Sequence, residues 1–341
     1  MHYLEEPRKI QFELSTVCNA LCLGCVRTDY SFNDSKFTIP SKVYVDINTI
    51  FKLLKSNSMS TVTTLEFCGT IDEPLVHPQF LEIIKGAYDI NPNYDIHIHT
   101  NGGMRNPDYF TKLANILTKF PQYDMLFSLD GLEDTNHLYR QNVNWSKCME
   151  NAEAFIKAGG RARWDFIVFK HNQHQVEEAE KLANKMGFKQ FRIRKTARFN
   201  YSPAGPDKWP VYNRTPFGTP QEFAYYIEPT TDEQYYNVEI DKFELLKEKY
   251  GSAEAYFDAA QINCLYKNHF QRIYVNAYGQ VFPCCYISND VYPGNNAIVK
   301  DTATKVFNKY GTKFNNLKDN DWDNILNHEW FSSTLEESWD T

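Results

Sequence analysis

Three cysteines near the start of the chain are spaced to bind one metal centre. Cys18, Cys22 and Cys25 are separated by three and then two residues, and they follow the β-rich run 9–16. Thiolates this close together on one loop can wrap around a single metal cluster. Three ligands leave one iron of a four-iron cube open, as in a catalytic rather than a closed structural metal site. A structural zinc knuckle is the alternative for the triplet taken alone.

The loop with the three cysteines must be positioned by strands and helices that alternate along the chain. Between residue 9 and about residue 198, short β-rich runs alternate with amphipathic stretches of helical period, which predicts parallel βα units. The predicted strands are 9–16, 63–69, 95–101, 125–131, 163–169 and 190–196. The predicted helices are 41–56, 78–89, 107–119, 146–158 and 174–186.

Polar residues at the ends of the predicted strands favour a barrel over a doubly wound sheet. Ligands from the carboxyl ends of many strands converge on one site in a barrel, whereas an open sheet uses mainly its switch point. We therefore predict an α/β fold in which residues 1–199 form a partial (β/α)6 TIM-like barrel.

The remaining chain divides into three parts. Residues 200–255 predict an irregular connector or lid, rich in proline over 200–235, together with a helix near 239–250. Residues 256–300 predict a small module built on a hairpin, with its turn at 276–279. Residues 301–341 predict a polar tail that packs on the body. Its expected anchors are Trp322, Trp330, Phe331 and Trp339.

Charge and composition narrow the class of protein. The net charge of -7 argues against a nucleic-acid partner, because phosphates attract basic surfaces. The chain shows no long apolar run and no secretory signal, so we expect a cytoplasmic protein with no membrane partner. Its eight cysteines are then expected to be metal ligands or buried thiols rather than disulfides.

The early cysteine triplet, placed after a first barrel strand, resembles the defining motif of the radical S-adenosylmethionine (SAM) superfamily. The resemblance implies a [4Fe-4S] cluster that binds SAM and an electron donor such as flavodoxin or ferredoxin. The segment 68–75, CGTIDEPL, is similar to the family's glycine-glycine-glutamate-proline segment. It implies that Glu73, with Asp72 as the alternative, holds the SAM ammonium. Other positions similar to SAM-binding residues of the family are Thr100, Asn101, Ser128 and Arg140, with Ser128 and Arg140 on the SAM carboxylate and Asn172 on the ribose.

One position departs from the family pattern. The residue before the third cysteine is commonly aromatic in this family and packs near the adenine, but here it is Gly24. We expect Tyr30 or Phe32 to supply the adenine contact, with ordinary loop anchoring as the alternative for both.

A later cysteine group resembles the opening half of a SPASM or Twitch extension. Cys264 is followed by fourteen residues, Gly279, four residues and Cys284, with Cys285 adjacent. The resemblance implies an auxiliary iron-sulfur cluster. No cysteine follows Cys285, so Cys285, a barrel residue or a substrate atom would have to complete the ligand set. A degenerate module with buried or zinc-binding cysteines is the alternative.

The predicted reaction is hydrogen abstraction by a radical derived from SAM. We expect a small polar substrate such as a sugar or cyclitol, oxidised or epimerised, because the barrel begins near residue 9 without a preceding docking domain. Modification of a peptide or protein side chain is the alternative, and a non-catalytic metal-binding or RNA-associated scaffold is a third hypothesis. Cys68 and Cys148 are candidate hydrogen-atom donors, with buried spectator thiols as the alternative. Arg192 and Arg194 either point into the barrel and bind an anion, or lie on an exposed edge or pair with core acids.

Overall fold

The fold is taken from a computed structural model that describes residues 6–25, 27, 41–214, 220–237, 245–246, 248–259, 264–292 and 302–338. Tyr30, Phe32 and Trp339 lie outside these residues, as does most of the segment 239–250 that was predicted to be helical.

Six parallel strands form the body of the protein. They are β1 (Lys9–Phe12), β2 (Thr64–Phe67), β3 (Asp95–Thr100), β4 (Gln122–Ser128), β5 (Ala162–Ile167) and β6 (Gln190–Arg194). Each strand pairs with the next one in the sequence, without the reversal of order that a doubly wound sheet requires. The predicted partial barrel is therefore confirmed, and all six predicted strands are present.

Helices connect the strands and cover the outside of the sheet. They are α1 (Ile47–Leu54), α2 (Phe80–Ile90), α3 (Pro107–Leu117), α4 (Asn136–Tyr139), α5 (Trp145–Lys157) and α6 (Val176–Met186). Large apolar side chains on the outer face of the strands, including Phe67, Phe127 and Trp164, are fully buried beneath these helices. Because side chains alternate along a strand, the intervening polar residues face the barrel interior.

Charged pairs line the inner face of the later strands. Two nitrogens of the Arg192 guanidinium donate to Asp165, with Nε–Oδ1 and Nη2–Oδ2 distances of 2.6 and 2.8 Å. Arg194 Nε lies 3.6 Å from Asp165 Oδ2. His97 on β3 contacts Asp124 on β4 at 2.6 Å. Of the two alternatives for Arg192 and Arg194, the structure thus favours pairing with an acid of the barrel.

The C-terminal hairpin extends the barrel sheet. Strands β9 (Arg272–Val275) and β10 (Val281–Phe282) are antiparallel, which confirms the predicted hairpin and its turn. Strand β9 also pairs in parallel with β1, so that Lys9 faces Arg272. The hairpin is therefore continuous with the barrel sheet through backbone hydrogen bonds.

The proline-rich connector contains a second hairpin. Strands β7 (Trp209–Arg214) and β8 (Pro220–Ile227) pair with register shifts at Val211/Tyr212 and Tyr212/Arg214. The prediction of an irregular backbone was wrong for these residues. Proline is tolerated at the start of a strand and in strands with a free edge, and this two-stranded sheet provides both settings.

The tail packs on the body as expected. Trp322, Trp330 and Phe331 are almost completely buried within the main core. Within the described ranges, none of the helices combines the length and the apolar character needed to cross a bilayer.

Candidate functional site

The early cysteines lie on a loop that begins where β1 ends. Backbone hydrogen bonds join this loop to the end of α4 and the residues after it, from Leu21 N to Gln141 O at 2.9 Å and from Leu23 N to Tyr139 O at 3.4 Å. Gly24 has a φ of 61°, a left-handed conformation that glycine adopts without steric cost. The backbone therefore turns between the second and third cysteines and keeps both beside the strand ends.

The three thiols share one polar environment. Asn101 Nδ2 lies 3.8 Å from Cys18 Sγ, and Arg140 Nη1 lies 3.7 Å from Cys22 Sγ. Burial raises the pKa of the Cys18 thiol well above its usual range, and the charges of Glu73, Cys22 and Cys25 raise it further. Thiolates that repel one another in a buried site are stabilised by a bound cation, so this donor set fits an iron cluster.

Glu73 is held at the mouth of the barrel by residues from the end of β3. Its carboxylate accepts hydrogen bonds from Thr100 Oγ1 at 2.6 Å and from Asn101 N at 2.8 Å. Burial raises the pKa of Glu73 from 4.5 to about 7. Thr100, Asn101 and Glu73 thus form one hydrogen-bonded unit next to Cys18.

Asp72 has a different position. Its Oδ2 atom accepts hydrogen bonds from the backbone of Leu14 at 2.8 Å and of Ser15 at 3.1 Å. Burial raises the pKa of Asp72 well above its usual range, and the charge of Glu13 adds to this rise. Asp72 therefore fixes the start of the cysteine loop, and Glu73 is the better placed of the two acids for a SAM ammonium.

Ser128 is the last residue of β4, and Arg140 directly follows helix α4, which comes after that strand. Arg140 Nε donates to Asp130 Oδ2 at 2.6 Å, which aims the guanidinium at Cys22. Ser128 is half-buried and faces Asp165 on the neighbouring strand. Both residues border the mouth of the barrel, and their assignment to the SAM carboxylate stays a prediction.

Asn172 does not have the position expected for a ribose contact. It is fully buried, and both of its amide protons are used on the backbone, at Asp130 O (3.0 Å) and Ile167 O (2.9 Å). Its Oδ1 atom accepts a hydrogen bond from Phe169 N at 2.7 Å. The expectation for Asn172 is therefore corrected to a structural role that ties the loops after β4 and β5 together.

The two isolated cysteines occupy different places. Cys148 is fully buried in the core, where its Sγ atom donates to Asn101 O at 3.3 Å and burial raises its pKa to about 12. This corrects the candidacy of Cys148 as a hydrogen-atom donor. Cys68 is half-buried and lies with Glu66 and His99 in a group whose ligand atoms are within 4.8 Å of one another.

Glu66 in that group is already paired with a cation. Its Oε2 atom lies 2.8 Å from Arg272 Nη2 on β9. Of the two candidate donors, Cys68 is the one that borders the polar interior of the barrel.

The late cysteines flank the C-terminal hairpin. Cys264 precedes β9 and Cys284 follows β10, as predicted, and Cys285 begins a short helix, Cys285–Asn289. Burial raises the pKa of Cys284 to about 11, and the charges of Cys285 and Cys264 also contribute. The Cys285 sulfur lies 3.4 Å from the Tyr266 hydroxyl. Three thiols of one module are thus close enough to repel one another as thiolates, which fits a shared metal centre.

Sequence reasoning missed a buried network at the end of β1. Glu13 is completely buried and accepts hydrogen bonds from Ile71 N at 2.6 Å, from the Tyr292 hydroxyl at 2.8 Å and from the Tyr274 hydroxyl. The available signal was a charged residue between the apolar Phe12 and Leu14, since a buried carboxylate requires hydrogen-bond donors. The network links the barrel to the C-terminal extension.

Comparison with known protein families gives two matches. Residues 12–185 match the family model described as the radical SAM superfamily. Residues 264–340 match SPASM, described as an iron-sulfur cluster-binding domain. The first match spans about half of the chain, and the second spans the late cysteines and the tail.

Individual relatives are distant. The mycofactocin maturase MftC of Mycobacterium ulcerans (strain Agy99) is 24% identical over 210 residues, which are 61% of this chain and 52% of the relative. The chain therefore matches about half the length of this curated relative.

Two solved structures share the fold. SuiB of Streptococcus suis bound to S-adenosylmethionine has a TM-score of 0.54 at 13% identity, covering 98% of this chain and 68% of SuiB. The native anSMEcpe with bound AdoMet has a TM-score of 0.54 at 14% identity, covering 97% and 82% of the two chains. At these identities the likeness concerns the fold.

Proposed function

Because this chain belongs to the radical SAM superfamily and carries a SPASM extension, we propose that it modifies a side chain of a peptide or protein by radical chemistry. The observation that carries the proposal is the convergence of three thiols, the Glu73 carboxylate and the Arg140 guanidinium at the mouth of the barrel. In the family, the cluster supplies the electron that splits SAM and yields a 5′-deoxyadenosyl radical.

Different residues of this chain would bind the cluster, the SAM ammonium and the SAM carboxylate. Cys18, Cys22 and Cys25 would hold three irons and leave the fourth accessible. Glu73, fixed by Thr100 and Asn101, would accept a hydrogen bond from the SAM ammonium. Arg140 would turn its terminal nitrogens, of which Nη1 lies 3.7 Å from Cys22 Sγ in this structure, to the SAM carboxylate while Nε stays on Asp130. A guanidinium suits this role because it binds a carboxylate through two parallel hydrogen bonds.

What the similar proteins are described as acting on or binding favours a peptide over a small polar substrate. The curated relative is a maturase, SuiB has been solved bound to the precursor peptide SuiA, and anSMEcpe has been solved with the Cp18Cys peptide. The polar barrel interior, which includes Cys68, His99 and Arg192, would accept one side chain of such a peptide. We therefore place peptide modification ahead of the sugar or cyclitol substrate that the sequence alone suggested.

The first test measures SAM cleavage. The protein is reconstituted with iron and sulfide without oxygen, then given SAM and dithionite, and 5′-deoxyadenosine is quantified by mass spectrometry. We expect production by the wild type, and a loss of at least about 100-fold in Cys22→Ala, because removing a thiolate leaves the cluster unsupported. The matched control is Cys148→Ala, which removes a core thiol and should retain full iron content. Equal deoxyadenosine from Cys22→Ala would refute the assignment.

The second test concerns the substrate class. The reconstituted enzyme is incubated with SAM, dithionite and either a pool of synthetic peptides or a panel of aminocyclitols and sugars. Peptide modification predicts faster deoxyadenosine release and a peptide mass change only with the first set. Stimulation by the second set alone would contradict the peptide assignment and leave the radical chemistry intact.

A further inference from the structure

Arg198 differs from the other arginines that line the barrel. Most of these have a carboxylate partner. The pairs are Arg140 with Asp130, Arg163 with Asp124, Arg192 and Arg194 with Asp165, and Arg272 with Glu66. Among the residues that the structure describes, no carboxylate lies within ion-pair distance of Arg198. Its charge therefore has no acidic partner in this part of the protein.

The contacts of Arg198 lie on the cysteine loop. Arg198 lies in the segment after β6, and the residue is exposed. Its Nη1 atom nevertheless donates to Leu23 O at 3.3 Å and to the Tyr139 hydroxyl. Its guanidinium carbon lies 5.7 Å from the centre of the Tyr139 ring. Leu23 lies between the second and third cysteines, so this arginine is hydrogen-bonded to the cysteine loop at its turn.

Gly24 makes this close approach possible. A Cβ atom at Gly24 would lie 3.6 Å from Cδ of Arg198 and 3.5 Å from the indole of Trp209. A side chain longer than alanine would meet both groups. The arginine and the connector hairpin therefore pack directly on the backbone of the cysteine loop.

Arg198 places a positive charge beside the cysteine loop. Its Nη1 atom lies 3.3 Å from the backbone oxygen of Leu23, which directly follows Cys22. Arg140 Nη1 lies 3.7 Å from Cys22 Sγ, but its guanidinium is paired with Asp130, whereas no described carboxylate pairs with Arg198. Arg198 is therefore the less compensated cation beside this loop.

We infer that Arg198 is a positioning residue that holds the cysteine loop at Leu23 and acts as the charge partner of the cluster-bound thiolates. The inference rests on the cluster of the proposed function but not on the substrate. A nearby positive charge stabilises the more negative, reduced form of a cluster, so it raises the reduction potential. Removing the charge should make the cluster harder to reduce.

The test separates charge from geometry. The midpoint potential of the cluster is measured by an EPR-monitored redox titration in the wild type, Arg198→Met and Arg198→Lys. We expect a lower potential in Arg198→Met and a potential near that of the wild type in Arg198→Lys. The matched control is Arg194→Met, which removes a cation of the barrel that pairs with Asp165 and should leave the potential unchanged.

A second measurement uses the protein without metal. Hydrogen exchange of the amides in residues 20–25 should be faster in both Arg198 variants than in the wild type. Methionine has no donor, and the shorter lysine side chain does not bring its ammonium to the position of Nη1, which donates to both Leu23 O and the Tyr139 hydroxyl. Unchanged potential in Arg198→Met, or unchanged exchange in both variants, would overturn the inference. Failure of the peptide assignment would affect neither measurement, whereas a wild type that assembles no cluster would refute the proposed function first.

Discussion

At the scale of single residues, Glu73 carries the most specific expectation about SAM. Changing Glu73 to Gln keeps the size of the side chain, but the amide cannot accept both bonds from Thr100 and Asn101 and lacks the charge for an ammonium. Loss of one buried, charge-assisted bond costs about 1–3 kcal/mol, so the Kd for SAM should rise by roughly 5-fold to 150-fold. Equilibrium dialysis with the reconstituted protein measures this. The exposed Glu82→Gln should bind SAM like the wild type.

The same residue predicts a pH dependence of stability. Burial raises the pKa of Glu73 from 4.5 in the unfolded chain to about 7 in the folded protein. Between these values the unfolded chain loses a proton that the folded protein keeps, so this carboxyl contributes less stability as pH rises from about 4.5 to 7. Urea unfolding of the metal-free protein should show the wild type losing stability relative to Glu73→Gln across this window. A constant difference between pH 5 and pH 8 would contradict the assigned shift.

At the scale of elements, the Glu13 network joins the C-terminal hairpin to β1. Changing Tyr274 to Phe removes a hydroxyl that donates to a completely buried carboxylate. We expect the free energy of unfolding to fall by about 1–3 kcal/mol, because a buried acceptor loses its donor. Urea unfolding of the metal-free protein measures the change, and Tyr278→Phe on the turn of the same hairpin is the control.

A double-mutant cycle separates this bond from simple packing. In a Glu13→Gln background the further change Tyr274→Phe should cost less than it does alone, because the two side chains interact directly. Strictly additive effects would show that the hydroxyl does not stabilise the link between β1 and the hairpin.

The strands and helices differ in how well they could be predicted from the sequence. The strands β1 to β6 and the helices between them, except the short α4, were predicted because apolar periodicity depends on which face is buried, and burial here follows the local pattern. The hairpin β7–β8 was missed because its prolines suit a two-stranded sheet with free edges. The pairing of β9 with β1 was missed because it joins residues more than 260 positions apart, and no local pattern encodes such a contact.

The site shows the same limit. Residue types and order indicated Cys18, Glu73 and Arg140, since each follows a recognisable strand. The assignment of Asn172 was wrong because a sequence does not reveal whether an amide is used on the backbone. Arg198 was not recognised because its role depends on a contact with Leu23, which lies 175 positions earlier.

At the scale of the whole molecule, the hairpin topology separates the two cysteine groups. The early group follows the carboxyl end of β1, whereas Cys264 precedes β9 and Cys284 follows the antiparallel β10. Because β9 runs parallel to β1, both hairpin ends lie near the start of β1, whereas the helix that begins at Cys285 runs back to Thr70, which contacts both Asn289 and Cys25. Two metal centres in these places would share no ligand and should load independently.

Iron counting tests this independence. The variant that changes Cys18, Cys22 and Cys25 to Ala should retain about four irons per chain after reconstitution, held by the late thiols. Adding Cys284→Ala to it should remove them, whereas Cys284→Ala alone should keep the early cluster and its deoxyadenosine production. An early triple variant without iron would mean that the late cysteines hold no iron cluster of their own. A single Cys284→Ala change that also empties the early site would show that the two groups depend on each other, contrary to their separation along the barrel.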